Sequence, residues 1–237
     1  MNWTTYSGFG EKALPFLKAL GFHQDRGWFQ ENKALYESEL QEPLGRLVDD
    51  LAERLAADGI PLTCTRRTSV FRINRDVRFA KDKNPYKTHV SAVVTRTGLK
   101  SDPGLLYVHV GPDVCRLAAG FYFMEPDEHR AFREAIVRRF DEYKASLAPL
   151  EALGLAMDDE DSLKRTPRGF ETVVEPELLA HLRRRHLTVS KRFDPERLSG
   201  TQLLDDIVEL AAAAQPFLNF GWRAVDPVRA ARDETTR

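Results

Sequence analysis

The chain has 237 residues, and its 35 lysines and arginines stand against 36 aspartates and glutamates, giving a formal net charge of −1. Apolar residues make up 42% and charged residues 30%, a composition typical of globular proteins with a buried core. No apolar run reaches the roughly 18 residues of a membrane helix, and the N-terminus lacks the basic and apolar segments of a signal peptide. We therefore expect a soluble, cytoplasmic protein that makes no membrane contact.

The first sixty residues have apolar side chains at helical spacing. They predict three helices, at Phe9–Leu20, Asn32–Leu40 and Pro43–Ala57. Proline suits the first turn of the third helix, and Asp58-Gly59 is a typical end for it.

The middle of the chain is rich in valine, threonine and aromatic residues, which favours strands. The predicted strands are Ser69–Asn74, Thr88–Thr97, Leu105–Val110 and Val114–Phe123. Short turn sequences containing glycine separate the last three strands, and this indicates an antiparallel meander.

Helical patterns return after the meander. The predicted elements are helices at Asp127–Tyr143, Lys144–Leu153 and Pro176–Arg185, a strand at His186–Phe193 and a C-terminal helix at Thr201–Phe217. We predict a frayed polar tail over 226–237, preceded by a single α+β domain over 1–225.

Alternation along the predicted strands separates two faces of the sheet. The face expected to lie under helices is apolar and comprises Phe71, Ile73, Val90, Ala92, Val94, Leu106, Val108, Val110, Leu117, Ala119, Phe121 and Phe123. The other face is polar apart from one valine and comprises Arg72, Asn74, His89, Ser91, Val93, Thr95, Tyr107, His109, Arg116 and Tyr122. Such a face is either simply solvated or lines a binding groove.

Charge is segregated along the chain. From Arg66 to Lys100 there are ten basic residues and two acids, a local balance of +8. A second basic segment, Lys164–Arg192, has a balance of +5. Clustered cations attract anions, and arginine matches the geometry of phosphate and carboxylate. If the two segments meet in the fold, they form an anion site.

We therefore predict that the polar face binds a small phosphorylated or carboxylated ligand. The candidate ligand-binding residues are Arg72, Arg75, Arg78, Lys83, Tyr86, Lys87, His89, Tyr107, His109, Lys164, Arg165 and Arg168. His89 and Asp76 are the candidates for an acid or base, and the sequence leaves open whether a reaction takes place. In the competing interpretation, Arg75 and Arg78 pair with Asp76 and Asp82 in a solvated loop.

Other chemistry finds little support in the sequence. There is no phosphate-binding glycine motif and no GxSxG or HExxH pattern, and we predict no cofactor. The histidines form no HxH or HxxxH pair, and a hairpin centred near residue 101 would place His89 opposite Asp113, far from His109. We predict no metal site. Cys64 and Cys115 are expected to be buried, and Ser91 lacks an evident acidic partner for a hydrolase.

Two other functions fit the same residues. A nucleic-acid-associated protein would use the basic segment with Phe79, Tyr86, Tyr107 and Tyr122 as stacking platforms, although we expect Phe79 to anchor its loop in the core. A protein-interaction domain without catalysis is the other alternative.

The run RDVRFAKDKNPYKTH, at Arg75–His89, resembles the hallmark of a bacterial and fungal family known only as a domain of unknown function, number twenty-four sixty-one. The shorter pieces LYVHV, LAAGFY and KRTPRGF, together with Trp28, Asn32-Lys33 and Tyr36, fit the same resemblance. It extends from about Thr5 to Phe220 and implies a single-domain protein, with no activity or site residue to transfer.

Overall fold

The computed structural model describes residues 5–235. The first four and last two residues, where the predicted domain begins and the predicted tail ends, lie outside this range. The helices are α1 (Ala13–Phe22), α2 (Arg26–Glu31), α3 (Lys33–Tyr36), α4 (Glu42–Ala57), α5 (Arg66–Ser69), α6 (Pro126–Arg138), α7 (Phe140–Ala152), α8 (Pro176–Leu182) and α9 (Gln202–Thr235). A π-helical turn at Glu37–Gln41 joins α3 to α4, and a 3-10 turn spans Pro195–Leu198.

Four strands form one antiparallel sheet in sequential order. They are β1 (Val90–Thr95), β2 (Leu105–Val110), β3 (Cys115–Phe121) and β4 (Leu187–Arg192). This confirms the predicted α+β class with a mainly antiparallel sheet.

The described chain divides into two compact units. Unit 1 comprises residues 5–102, 106–117 and 191–209, and unit 2 comprises 103–105, 118–190 and 210–235. The single domain expected from the sequence stays a prediction.

The core of unit 1 is built on α4 and β1, which are in contact. The apolar stripe of α4 places Leu44, Leu47 and Leu51 inside. Strand β1 is buried along its whole length, including Ser91 and Thr95. The predicted polar face is therefore wrong along β1, where both sets of side chains are covered.

The outer edge of β1 explains this burial. Isolated bridges join Thr95 to Thr63 and Ala92 to Val70, and the Phe71 amide donates to the Ser91 carbonyl. The strand predicted at Ser69–Asn74 is therefore reduced to single bridges. Its first residue belongs to α5, because the Thr65 hydroxyl accepts the Thr68 amide and starts a helical turn.

Unit 2 has an aromatic core. Phe121 packs edge-on against Phe132 and Phe217, with ring centroids 5.0 and 5.9 Å apart. Tyr143 adds to the same cluster, 6.2 Å from Phe217. Phe123, expected on the covered apolar face, is instead 80% exposed, because β3 ends at Phe121.

Two helical predictions in unit 2 are corrected. The break between α6 and α7 falls at Arg139 rather than after Tyr143. Helix α9 continues to Thr235 through the segment predicted to be frayed, although it contains Pro227. Arg232 holds this end by donating to buried Glu128 at 2.9 Å, a long-range ion pair that sequence patterns do not reveal. No helix within residues 5–235 is long and apolar enough to cross a membrane.

Candidate functional site

The segment that carries the family hallmark forms a closed loop at the edge of unit 1. Asn74 and Tyr86 make an antiparallel bridge, and the Arg75 amide donates to the Pro85 carbonyl at 2.8 Å. The Lys87 amide donates to the Ile73 carbonyl at 2.8 Å. Residues 75–85, called the basic arm below, are therefore clamped at their base.

The basic arm contains two internal ion pairs. Arg75 pairs with Asp82 at 2.5 Å and Arg78 with Asp76 at 2.6 Å. Lys83 Nζ donates to the Val77 carbonyl at 3.0 Å. This is the local pairing that the sequence offered as the alternative to an anion site.

The two acids of the arm are held ionised by these contacts. The hydrogen bond from the Arg78 side chain lowers the pKa of Asp76. The Asn84 amide and, after it, Arg75 lower the pKa of Asp82. Asp76, a predicted acid or base, is thus an exposed carboxylate already engaged by an arginine.

Two aromatic residues of this segment differ from expectation. The Tyr86 side chain, predicted to bind ligand, is 4% exposed and stacks on Phe29 with 4.4 Å between ring centroids. Phe79, predicted to anchor the arm in the core, is 95% exposed. The anchor is therefore Tyr86, whose amide also donates to Gln24 Oε1 at 3.0 Å.

A second group of basic side chains lies beside the arm, around the ring of Phe71. Lys87 Nζ is 5.0 Å and Lys100 Nζ 5.2 Å from the ring centroid, a distance typical of cation–π contacts. His89 stacks on His109 with 4.2 Å between centroids. The predicted separation of these two histidines along the strands is wrong.

Neighbouring groups that lower one another's pKa values make up what we call the basic row: Arg72, Lys100, Lys87, His89, His109 and Arg116. All six residues belong to unit 1. Elements distant in sequence supply them, because the segment before β1, the β1–β2 turn, β2 and β3 converge here.

The protonation of the row follows from burial and like charge. Burial lowers the pKa of Lys87, and the charge of Lys100 lowers it further. The same two causes, with Lys87 as the neighbouring charge, lower the pKa of His89. Burial lowers the pKa of His109 to about 4, with smaller contributions from His89 and Arg116. Both imidazoles are therefore neutral at pH 7.

No carboxylate of the described residues forms an ion pair with a lysine or arginine of the row. Among the ion pairs of residues 5–235, none involves Arg72, Lys87, Lys100 or Arg116. Lys100 donates to the Thr68 carbonyl at 2.5 Å, a neutral acceptor. The Arg116 Nε is buried without a hydrogen-bond acceptor in the described part of the chain. The row thus has a hydrogen-bond donor without an acceptor and cations without a carboxylate partner among the described residues.

The imidazole pair is held in place from two sides. The Tyr107 hydroxyl lies 3.2 Å from His109 Nδ1, and when it donates there, the histidine carries its proton on Nε2. A Cβ atom at Gly111 would lie 3.2 Å from both His109 Nε2 and His89 Cβ. Glycine at this position leaves room for the stacked rings.

The remaining predicted residues belong to the other unit. Lys164, Arg165 and Arg168 are exposed residues of unit 2, whereas the arm and the row belong to unit 1. Of the residues in the row, Lys100 and Arg116 were absent from the predicted site. Their charge was visible in the sequence, but only the fold brings them to Lys87 and His109.

Other parts of the described chain are less suited to an anion. A 510 Å³ cavity along α4 contains Glu42 and Asp49, which pair with Arg66. Residues 5–235 contain no group of three or more histidine, cysteine, aspartate or glutamate side chains placed to hold a metal ion. Cys64 and Cys115 are buried, as predicted, and burial raises the pKa of both thiols.

The structure thus defines an α+β protein with a partly buried basic row whose lysines and arginines form no ion pair within residues 5–235. The chain belongs to the family DUF2461, described as conserved hypothetical proteins, whose pattern matches residues 12–220. This confirms the resemblance carried by the hallmark run. No curated protein and no solved structure shows a significant match. The family description names no ligand or reaction, so function has to be inferred from the site.

Proposed function

We propose that the basic row binds a small anion that carries a phosphate or carboxylate group. The observation that supports this is the absence of any carboxylate partner for its four permanent or near-permanent cations within residues 5–235. Elsewhere in unit 1, Arg54, Arg66 and Arg197 all form ion pairs.

Like charges held together oppose folding unless something offsets them. Partial burial and, after it, this repulsion lower the pKa values of Lys87 and Lys100. An anion between the cations removes the repulsion and accepts the unused donors. The arm contributes by holding Lys87 rigidly at its base rather than by offering Arg75 or Arg78 to the ligand.

The test is calorimetric titration of the full chain with phosphate and with oxalate at low ionic strength. Lys87→Met and Lys100→Met keep an unbranched side chain against Phe71 but remove the charge. We expect each to weaken binding by about tenfold or more, since charge-assisted hydrogen bonds contribute about 1.5–3 kcal/mol. Lys18→Met removes an exposed charge outside the row and should bind like the unmodified protein. Equal affinity in all four proteins would refute the proposal.

Phe79 supports a second candidate, binding of single-stranded nucleic acid by the arm. A fully exposed ring flanked by Arg78 and Lys81 suits base stacking with phosphate contacts. Tyr86 cannot stack on a base because its side chain is buried. This candidate requires affinity for a short oligonucleotide that falls with salt and is lost in Phe79→Ala. Affinity that Phe79→Ala leaves unchanged would exclude it.

A further inference from the structure

The two lysines at the Phe71 ring are not equivalent. Lys100 is tied to the Thr68 carbonyl by its 2.5 Å hydrogen bond. Lys87 Nζ makes no hydrogen bond or ion pair to the described chain and lies 5.0 Å from the centroid of the Phe71 ring. The row therefore contains one tethered amine and one amine without a hydrogen bond, both within about 5 Å of the centroid of the same ring.

Two features of the surroundings of Lys87 favour a nucleophilic amine. A lysine becomes nucleophilic when it is desolvated or lies next to another cation, because both conditions favour the neutral form with its lone pair. Lys87 meets both conditions, and its pKa is lowered accordingly. His89, two residues along the chain, is a neutral imidazole able to carry a proton.

We propose that Lys87 forms an imine with a small carbonyl compound that also carries a carboxylate or phosphate group. This rests on the proposed anion site and specifies its substrate class. Lys100 and Arg72 would hold the anionic group, which places the carbonyl carbon at the free amine. A 2-oxo acid and a phosphorylated aldehyde or ketone share this chemistry.

The reaction balances without an oxidant or reductant. The Lys87 nitrogen lone pair adds to the carbonyl carbon, and the carbon–oxygen π electrons move to oxygen. His89 takes the first proton from nitrogen and gives it to that oxygen, forming a carbinolamine. It then carries the second proton to the hydroxyl, which leaves as water while the carbon–nitrogen double bond forms. One amine and one carbonyl yield one imine and one water.

The experiment is reductive trapping of the full chain. Pyruvate and dihydroxyacetone phosphate, tested separately, distinguish the two sources of the anionic carbonyl. Each is incubated with the protein at neutral pH and reduced with cyanoborohydride, and the adduct is located by peptide mass mapping. We expect one adduct per chain, at Lys87, absent in Lys87→Met and unchanged in Lys18→Met. Adducts spread over exposed lysines, or formed on Lys100, would overturn the proposal.

A pH profile separates a reactive amine from one that is merely accessible. Lys100→Met removes the neighbouring charge while leaving Lys87 in place, so the pH dependence of trapping at Lys87 should shift to higher pH. An unshifted profile would contradict the role of the lysine pair.

Phosphate itself has no carbonyl and serves as the probe of the anion site alone. Phosphate binding without any adduct would reject the imine and leave the proposed function standing. Failure of both phosphate binding and trapping would reject both.

Discussion

Acidification provides the sharpest test of the electrostatics of the row, through His109. Burial and, after it, the neighbouring His89 and Arg116 lower its pKa in the folded protein to about 4, against an ordinary value of 6.5. The unfolded chain therefore takes up a proton at this histidine before the folded chain does. The contribution of His109 to the free energy of unfolding is fully present above pH 6.5 and is lost as the pH falls toward 4.

The size of the loss follows from the shift. A difference of about 2.5 pKa units corresponds to roughly 3.4 kcal/mol at about 1.4 kcal/mol per unit. The ring is partly exposed, so solvent screening reduces this to about 2 kcal/mol by pH 4, with about 1 kcal/mol lost by pH 5. His129 and His181 also have pKa values lowered to about 4 by burial, so the effect of His109 has to be isolated by substitution.

Urea denaturation of the unmodified protein and of His109→Asn, from pH 7.5 to pH 4.5, isolates this contribution. The free energy of unfolding of the unmodified protein should fall more steeply, by about 1 kcal/mol at pH 5. A histidine NMR titration should show His109 ionising clearly below its ordinary value of 6.5. Parallel stability curves, or an ionisation near pH 6.5, would refute the environment described for the row.

Three further outcomes are expected. Tyr86→Ala should cost about 3–5 kcal/mol of unfolding free energy in urea because it empties a stacked core site, whereas exposed Phe79→Ala should change it by less than about 0.5. Gly111→Ala should crowd the stacked imidazoles and move the ring resonances of His109 in an NMR spectrum. Glu128→Gln removes a buried, arginine-paired carboxylate and should lower stability by about 2 kcal/mol, read from thermal unfolding. The expectations would be contradicted by an unchanged unfolding free energy in Tyr86→Ala, unchanged His109 resonances in Gly111→Ala, or an unchanged thermal midpoint in Glu128→Gln.

Regular periodicity was enough to predict much of the fold. The α4 stripe and the alternation of β2 are visible in the sequence and appear in the structure. The strand predicted at Ser69–Asn74 is wrong because a local hydrogen bond outweighs the strand pattern there. The Thr65 cap makes the first residue of that segment part of a helical turn. The helical end of α9 depends instead on Glu128, about a hundred residues earlier.

The site was harder to predict for the same reason. The arm lies in the segment Arg66–Lys100, which has a local balance of +8, yet Arg75 and Arg78 are paired with acids within a few residues. Lys100 and Arg116 stand alone in the sequence and meet Lys87 and His109 only in the folded chain. The clustering of charge in the sequence therefore predicted the region that contains the row, but not which residues form it.

The most direct test of the central claim is the NMR titration of His109 with and without saturating phosphate. An anion bound at the row stabilises the charged imidazolium, so the pKa of His109 should rise from about 4 toward its ordinary range. Lys18→Met should show the same rise, and the double variant Lys87→Met/Lys100→Met should not. A His109 pKa that phosphate leaves unchanged would contradict anion binding at the basic row.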